Sequence, residues 1–152
     1  MINGDLTGYI SYFEAFAQAH PDIQFFHFGQ VEQGMQFARG LEGFGYPFMW
    51  LEQPEIVTED NGSAQISEIY LGGVVVLEHG DMSDQHLNRA AYVRAIGICY
   101  DLQKQMRADA KGGKLVCTLS DFKKEAVSTL WADSHYGWRM EFRAIYNINF
   151  RV

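Results

Sequence analysis

The strongest constraint on this chain lies at its carboxyl end. From Trp138 onward, Trp138, Met140, Phe142, Ala144, Tyr146, Ile148 and Phe150 alternate with Arg139, Glu141, Arg143, Ile145, Asn147, Asn149 and Arg151. Neighbouring side chains of a strand point to opposite faces. A period of two over this length therefore predicts a long strand with one buried face and one largely wet face. Ala126–Trp131 reads as the strand before it, and Asp133-Ser134-His135-Tyr136-Gly137 as the tight connection, which makes a C-terminal β-hairpin. The buried face of such a hairpin needs an apolar cover.

Two helices can supply that cover. Leu6, Tyr9, Ile10, Phe13 and Phe16 recur at three- and four-residue spacing, which predicts a helix over Asp5–Ala19, capped by Asp5 and stopped at His20-Pro21. A longer helix is predicted over Asp84–Ala110, capped by Ser83 or Asp84 and ended by Gly112-Gly113. Its stripe is Leu87, Ala91, Ala95, Ile98 and Leu102. Ala90, Val93, Ile96 or Gly97, Tyr100 and Met106 fall beside that stripe, and the small residues at 90, 91, 95 and 97 suit close packing on a sheet.

Between the helices, strands are predicted at Asp22–Gly29, Phe48–Glu52 and Ala64–Glu78, with a turn or short helix around Val31–Arg39. Asn61-Gly62 marks a hairpin turn, and Gly72-Gly73 permits a bulge or bend. This order predicts an α+β fold in one domain spanning residues 1–152: a mostly antiparallel sheet, an N-terminal helix and a long helix packed on one face, and a C-terminal β-hairpin. A doubly wound parallel sheet would need regular helical crossovers, and the middle of the chain has none.

Composition narrows the function. Nineteen acids against twelve bases leave a net charge of -7, which argues against the broad cationic footprint that nucleic acids or anionic membranes attract. Two cysteines, Cys99 and Cys117, are too few for a disulfide scaffold or a cysteine-rich zinc site. Apolar runs fall short of the ~20 residues that span a bilayer, and MINGDLTGYISYF lacks the basic and apolar segments of a signal peptide. A protein working in the cytoplasm, or in a particle assembled there, is expected.

Catalytic signatures are weak. Glu78, His79, Asp81, Asp84 and His86 lie within nine residues, but not at a zinc spacing, and Glu78 and His79 point apart on a strand. Asp133-Ser134-His135 is adjacency rather than triad geometry. The loop glycines at 40, 43 and 45 form neither a dinucleotide fingerprint nor a P-loop. Neither an enzyme nor a cofactor is expected. Eleven Phe, eight Tyr and three Trp stand out instead, since large rings serve both cores and protein interfaces.

The layout, with Asp133, Gly137 and the alternating Trp138–Phe142 strand in its terminal hairpin, resembles the small tail-completion or tail-terminator proteins of tailed bacteriophages and related tail-like machines. Many of these have an acidic or Asn-containing turn, a glycine and an alternating strand near their ends. The resemblance implies a homo-oligomeric ring, commonly hexameric, that caps the tail tube at the head–tail junction. It would sit in the virion tail after assembly in the host cytoplasm. It further implies tail tube and neck or connector proteins as partners, with no catalytic residues and no sequence-specific nucleic acid or membrane contact. Sheet edges, loop tips and the outer strand face would then carry binding. Phe44, Tyr46, Trp50, Trp131, Tyr136, Arg139, Glu141 and Arg143 are the interface candidates. A neck, connector or other tube component is one alternative. Another is a small cytoplasmic binding or adaptor module with an apolar pocket between long helix and sheet.

Overall fold

The fold is that of a computed structural model, described for residues 5–29, 43–63, 65–128 and 135–148. Helix α1 spans Leu6–Ala19, and the Asp5 side chain accepts a hydrogen bond from the Gly8 N–H at its start. Five shorter or longer strands and a second helix follow in the order β1 (Phe25–Gly29), β2 (Phe48–Glu52), β3 (Glu55–Asp60), β4 (Ile66–His79), α2 (Gln85–Lys111) and β5 (Thr118–Ser128). The last described element is β6 (His135–Ile148).

β4 and β6 are the spine of the sheet, paired antiparallel from Ile66 opposite Ile148 to His79 opposite His135. β2 and β3 follow one another along the free side of β4, opposite Val74–Leu77 and Ile66–Leu71 respectively. β1 lies outside β2 and parallel to it, and β5 lies outside β6, antiparallel. The result is the α+β fold, with a mostly antiparallel sheet and both helices on one face.

Side-chain parity explains which face the helices take. Met49 and Leu51, Tyr70, Val74 and Val76, and Met140, Phe142, Ala144 and Tyr146 share one face, and they are buried with Tyr9, Phe13 and Ala17 of α1 and Ala95, Ile98, Cys99, Leu102 and Met106 of α2. Phe26 and Phe28 of β1 join that core, whereas Phe25 faces the other side. Burial pushes the Cys99 thiol up to about 12, so it stays protonated and packs as a small apolar group.

Three expectations are corrected. The strand before β6 is longer and starts earlier than Ala126, since β5 begins at Thr118. A register shift between Ser120 and Lys123, with Asp121 at φ 57°, breaks its alternation. His135, Tyr136 and Gly137 belong to β6 rather than to a turn, and the residues joining the strands lie outside those described. Along α2, Ala91, Ala95 and Met106 are buried as the sheet contact requires, but Ala90, Val93 and Tyr100 face solvent. The expectation at Val31–Arg39 falls outside the described residues.

Gly72 and Gly73 make no bulge, because β4 keeps an unbroken register with β6. Their role is clearance on opposite faces. A side chain at Gly72 would overlap the Tyr9 hydroxyl and come within 2.7 Å of Phe142, while one at Gly73 would come within 2.5 Å of the Glu52 carboxylate. Gly72 thus lets α1 press its tyrosine onto the sheet. The Tyr9 hydroxyl is buried there without a hydrogen-bond partner among the described residues. A buried hydroxyl left unpaired costs about 1–3 kcal/mol. Tyr9→Phe removes that hydroxyl and keeps the ring, so it is expected to raise stability by about 1 kcal/mol, as read by chemical denaturation. A loss of stability would show that the hydroxyl is bonded after all.

Candidate functional site: the open face of the sheet

The face turned away from the helices divides into two zones. At one end Phe25, Phe44, Tyr46, Phe48, Trp50, Val75, Leu77 and Val127 form a second apolar cluster. The rings interlock: Phe44 meets Phe25 at 5.3 Å and Tyr46 at 5.1 Å, and Phe48 stacks on Trp50 at 6.3 Å. The Trp50 indole N–H donates to the Gly29 carbonyl at 3.0 Å, which ties β2 to the end of β1. The Tyr46 hydroxyl is hydrogen-bonded to Nε2 of the buried His135.

These contacts relocate several interface candidates. Trp50 is 0% exposed and Tyr136 8%, so neither offers a surface to a second subunit. Tyr136 is turned toward α2, edge-on to Tyr92 at 5.5 Å. Phe44 and Tyr46 are half-buried in the second cluster. Trp131 lies outside the described residues. The aromatic run is therefore interior packing over most of its area.

Beyond the rings the face becomes charged, and here the remaining candidates do come together. Arg139, Glu141 and Arg143 follow one another on the outward side of β6, half-buried. Arg139 donates from Nε and a terminal nitrogen to the two oxygens of Glu52, both at 2.8 Å, and also to Glu141. The side chain crosses β4 to reach Glu52, over the space that Gly73 leaves empty. These bonds, first to Glu52 and then to Glu141, hold the guanidinium well above its ordinary range, so it stays charged. Lys123 pairs with Glu125 on the neighbouring strand, and Arg143 approaches Glu59 at 3.9 Å.

The electrostatic outcome is a face whose cations are each matched by a carboxylate. A shallow groove of about 430 Å³ runs over it, walled by Glu52, Glu55, Asp121, Arg139, Glu141 and Arg143. Four carboxylates against two guanidiniums make this groove a poor seat for a phosphate backbone. Its chemistry suits polar contact with another protein, where charges of both signs set register and choice of partner.

Bidentate pairing at low exposure predicts the energetics of Arg139. Arg139→Met leaves Glu52, mostly out of water, without its partner. The expected loss is about 2 kcal/mol, between the values for exposed and for fully buried pairs. Changing Glu52 to glutamine in the same chain should recover part of it. Should Arg139 serve only contacts between subunits, the substitution would alter solution mass and leave the melting temperature in place.

The Glu78–His86 cluster does not converge. Glu78 is buried on the helix side and accepts from Arg94 of α2 at 3.0 Å, whereas His79 is exposed on the opposite side. Asp81 receives the backbone N–H and hydroxyl of Ser83, which lowers its pKa, and Asp84 caps α2 by accepting from the Leu87 N–H. Among the described residues no group of three His, Cys, Asp or Glu is placed to hold a metal. No helix among them is long and apolar enough to cross a membrane.

Sequence reading missed Glu52 and Glu59 as members of the charged face. Glu52 and Arg139 are 87 residues apart, and only the β2–β4–β6 register brings them together. The space between α2 and the sheet, where an adaptor module would hold its ligand, is filled by core side chains. A groove of about 470 Å³ lies elsewhere, where α1 ends against α2: Phe16, Ala19, Pro21 and Ala108 line it together with His20, Asp22, Asp101, Lys104 and Gln105.

Fold and site together define a class: a mixed α+β sheet with helices on one face, and on the other an aromatic cluster beside a strip of paired charges. No protein-family model matches the chain, and no curated protein matches it.

Proposed function

We propose that the chain is a structural assembly subunit of a phage tail or tail-like machine, building a ring at the end of the tail tube or at the head–tail junction. The observation that carries this reading is the outer face of β6. There Arg139, Glu141 and Arg143 form a polar strip beside an open sheet, with opposite charges interleaved and no excess cation. Such a strip suits register-specific contact between protein subunits. β1 and β5 end the described sheet on opposite sides, and β3, paired only with β4, presents a further outer edge on the β1 side. Unlike strand edges on opposite sides of the described sheet favour head-to-tail association, which closes into a ring when the rotation per subunit allows. The β5 edge carries the Asp121 irregularity and the Lys123–Glu125 pair, features that guard an edge against indiscriminate pairing.

Electron microscopy of the full chain tests this reading. Annular particles with a central opening are expected, and they should bind the ends of tail tubes assembled from a tube protein of the same machine. A field of small separate particles, with no binding to tube ends, would contradict it.

A further inference from the structure

α2 presents a second feature that its own fold does not use. Its buried face is Ala91, Ala95, Ile98, Leu102 and Met106. Directly opposite, Ala90, Val93, Gly97 and Tyr100 recur at the three-four spacing of a helix-pairing seam. Val93 is 64% exposed and Tyr100 58%, although Lys124 stands over one side of the Tyr100 ring at 5.2 Å. Nothing lies within 4 Å of the place where a Gly97 side chain would start, so packing inside this chain does not require glycine there.

The residues flanking the seam decide what would cover it. Arg94 and Asp101 lie on the same flank, and both keep most of their side chain in water despite contacts to Glu78 and His20. Further out on that flank, Leu87 is 42% exposed, and Ala108 borders the groove in which Phe16, Ala19 and Pro21 form an apolar patch among Asp22, Lys104 and Gln105. In an antiparallel pair of identical helices, residues on the same flank meet across the two-fold axis. With the axis passing between Ile98 and Cys99, Arg94 meets Asp101 of a second copy, and Leu87 meets Ala108 at the mouth of its groove. The same register sets Gly97 against Tyr100 of the second copy, a notch against a ring. Parallel pairing would instead bring Arg89 of one helix against Arg94 of the other.

We infer that the solvent face of α2 is a two-fold contact with a second copy of this chain, antiparallel, with Tyr100 seated at Gly97 and Leu87 entering the α1–α2 groove. The inference rests on reading the chain as a self-assembling subunit and adds a contact of different symmetry. Head-to-tail edges make rings, whereas a two-fold contact joins subunits, or whole rings, in pairs.

Cysteine cross-linking reads the register. Val93→Cys mixed with Lys104→Cys should give a disulfide-linked mixed dimer under mild oxidation, with the unsubstituted chain as the blank. Neither variant should link to itself, because like positions would stand roughly 16 Å apart along the axis. Gly97→Leu provides the second measurement: filling the notch should abolish the mixed dimer at a melting temperature no lower than that of the parent, since leucine favours helix over glycine. Self-linked Val93→Cys without mixed dimer would mean parallel pairing and would overturn the inference. So would a mixed dimer unaffected by Gly97→Leu. If the parent chain assembles but no cross-link forms, the helix contact fails and the assembly reading survives. A parent that stays monomeric without cross-linking removes both.

Discussion

Replacing Trp50 with alanine is expected to cost about 3–5 kcal/mol of folding stability, the range for deleting a buried large aromatic ring. The ring is fully enclosed, stacked against Phe48, and its N–H holds the Gly29 carbonyl. Deletion opens a cavity in the second apolar cluster and leaves that carbonyl without the indole. Since domains of this size are stable by about 5–15 kcal/mol, the variant should melt far below the parent or fail to accumulate as folded protein. Trp50→Phe keeps most of the apolar volume and should lose clearly less. Chemical denaturation of the three chains checks both steps. A Trp50→Ala chain as stable as the parent, but altered in assembly, would return this residue to the surface.

Gly137→Ala should be the most damaging single methyl among the described glycines. The new carbon would overlap the Val76 carbonyl oxygen and lie 2.9 Å from its carbon and 3.1 Å from the Leu77 Cα. All three obstacles are backbone of the paired strand β4, so no side-chain rotation relieves them. Overpacking typically costs 1–3 kcal/mol through side-chain and backbone shifts. With backbone on backbone, about 3 kcal/mol is expected, together with local parting of β6 from β4. Denaturation gives the magnitude, and hydrogen exchange should show faster exchange at Val76, Leu77 and Trp138. Unchanged protection there would mean that the strands are not this close. This approach gives a physical reason for the glycine that opens the alternating terminal strand.

The fold was legible wherever a single periodicity decides which face is buried. Along β6 the even-numbered residues Met140 to Tyr146 enter the core, as alternation predicts. Helix ends were readable from their caps: Asp5 and Asp84 each accept a backbone N–H three residues on. β5 was less legible because Asp121 interrupts its alternation and Lys123, Lys124 and Glu125 hide a strand in a charged run. Lys124 nevertheless faces the helices, where its ammonium group reaches Gln103 and the Tyr100 ring.

The site was legible only in part, for a related reason. Parity places Arg139, Glu141 and Arg143 together on one side of a strand without any tertiary information. Their partners Glu52 and Glu59 belong to other strands, and register across the sheet is not encoded in any local pattern. The aromatic run failed in the opposite way. Phe44 to Trp50 is composed like an interface, but composition does not say whether the second face of a sheet is covered, and here the rings cover one another. Val93 and Tyr100 show the converse. Helical spacing put them beside the buried stripe, and the narrow contact between α2 and the sheet leaves them outside.

The central claim is that this chain works by assembling with copies of itself. Sedimentation of the full chain over a wide range of concentrations tests it most directly. The account predicts a defined multiple of the 17.3 kDa chain mass that persists on dilution. A particle of single-chain mass at every concentration would contradict it.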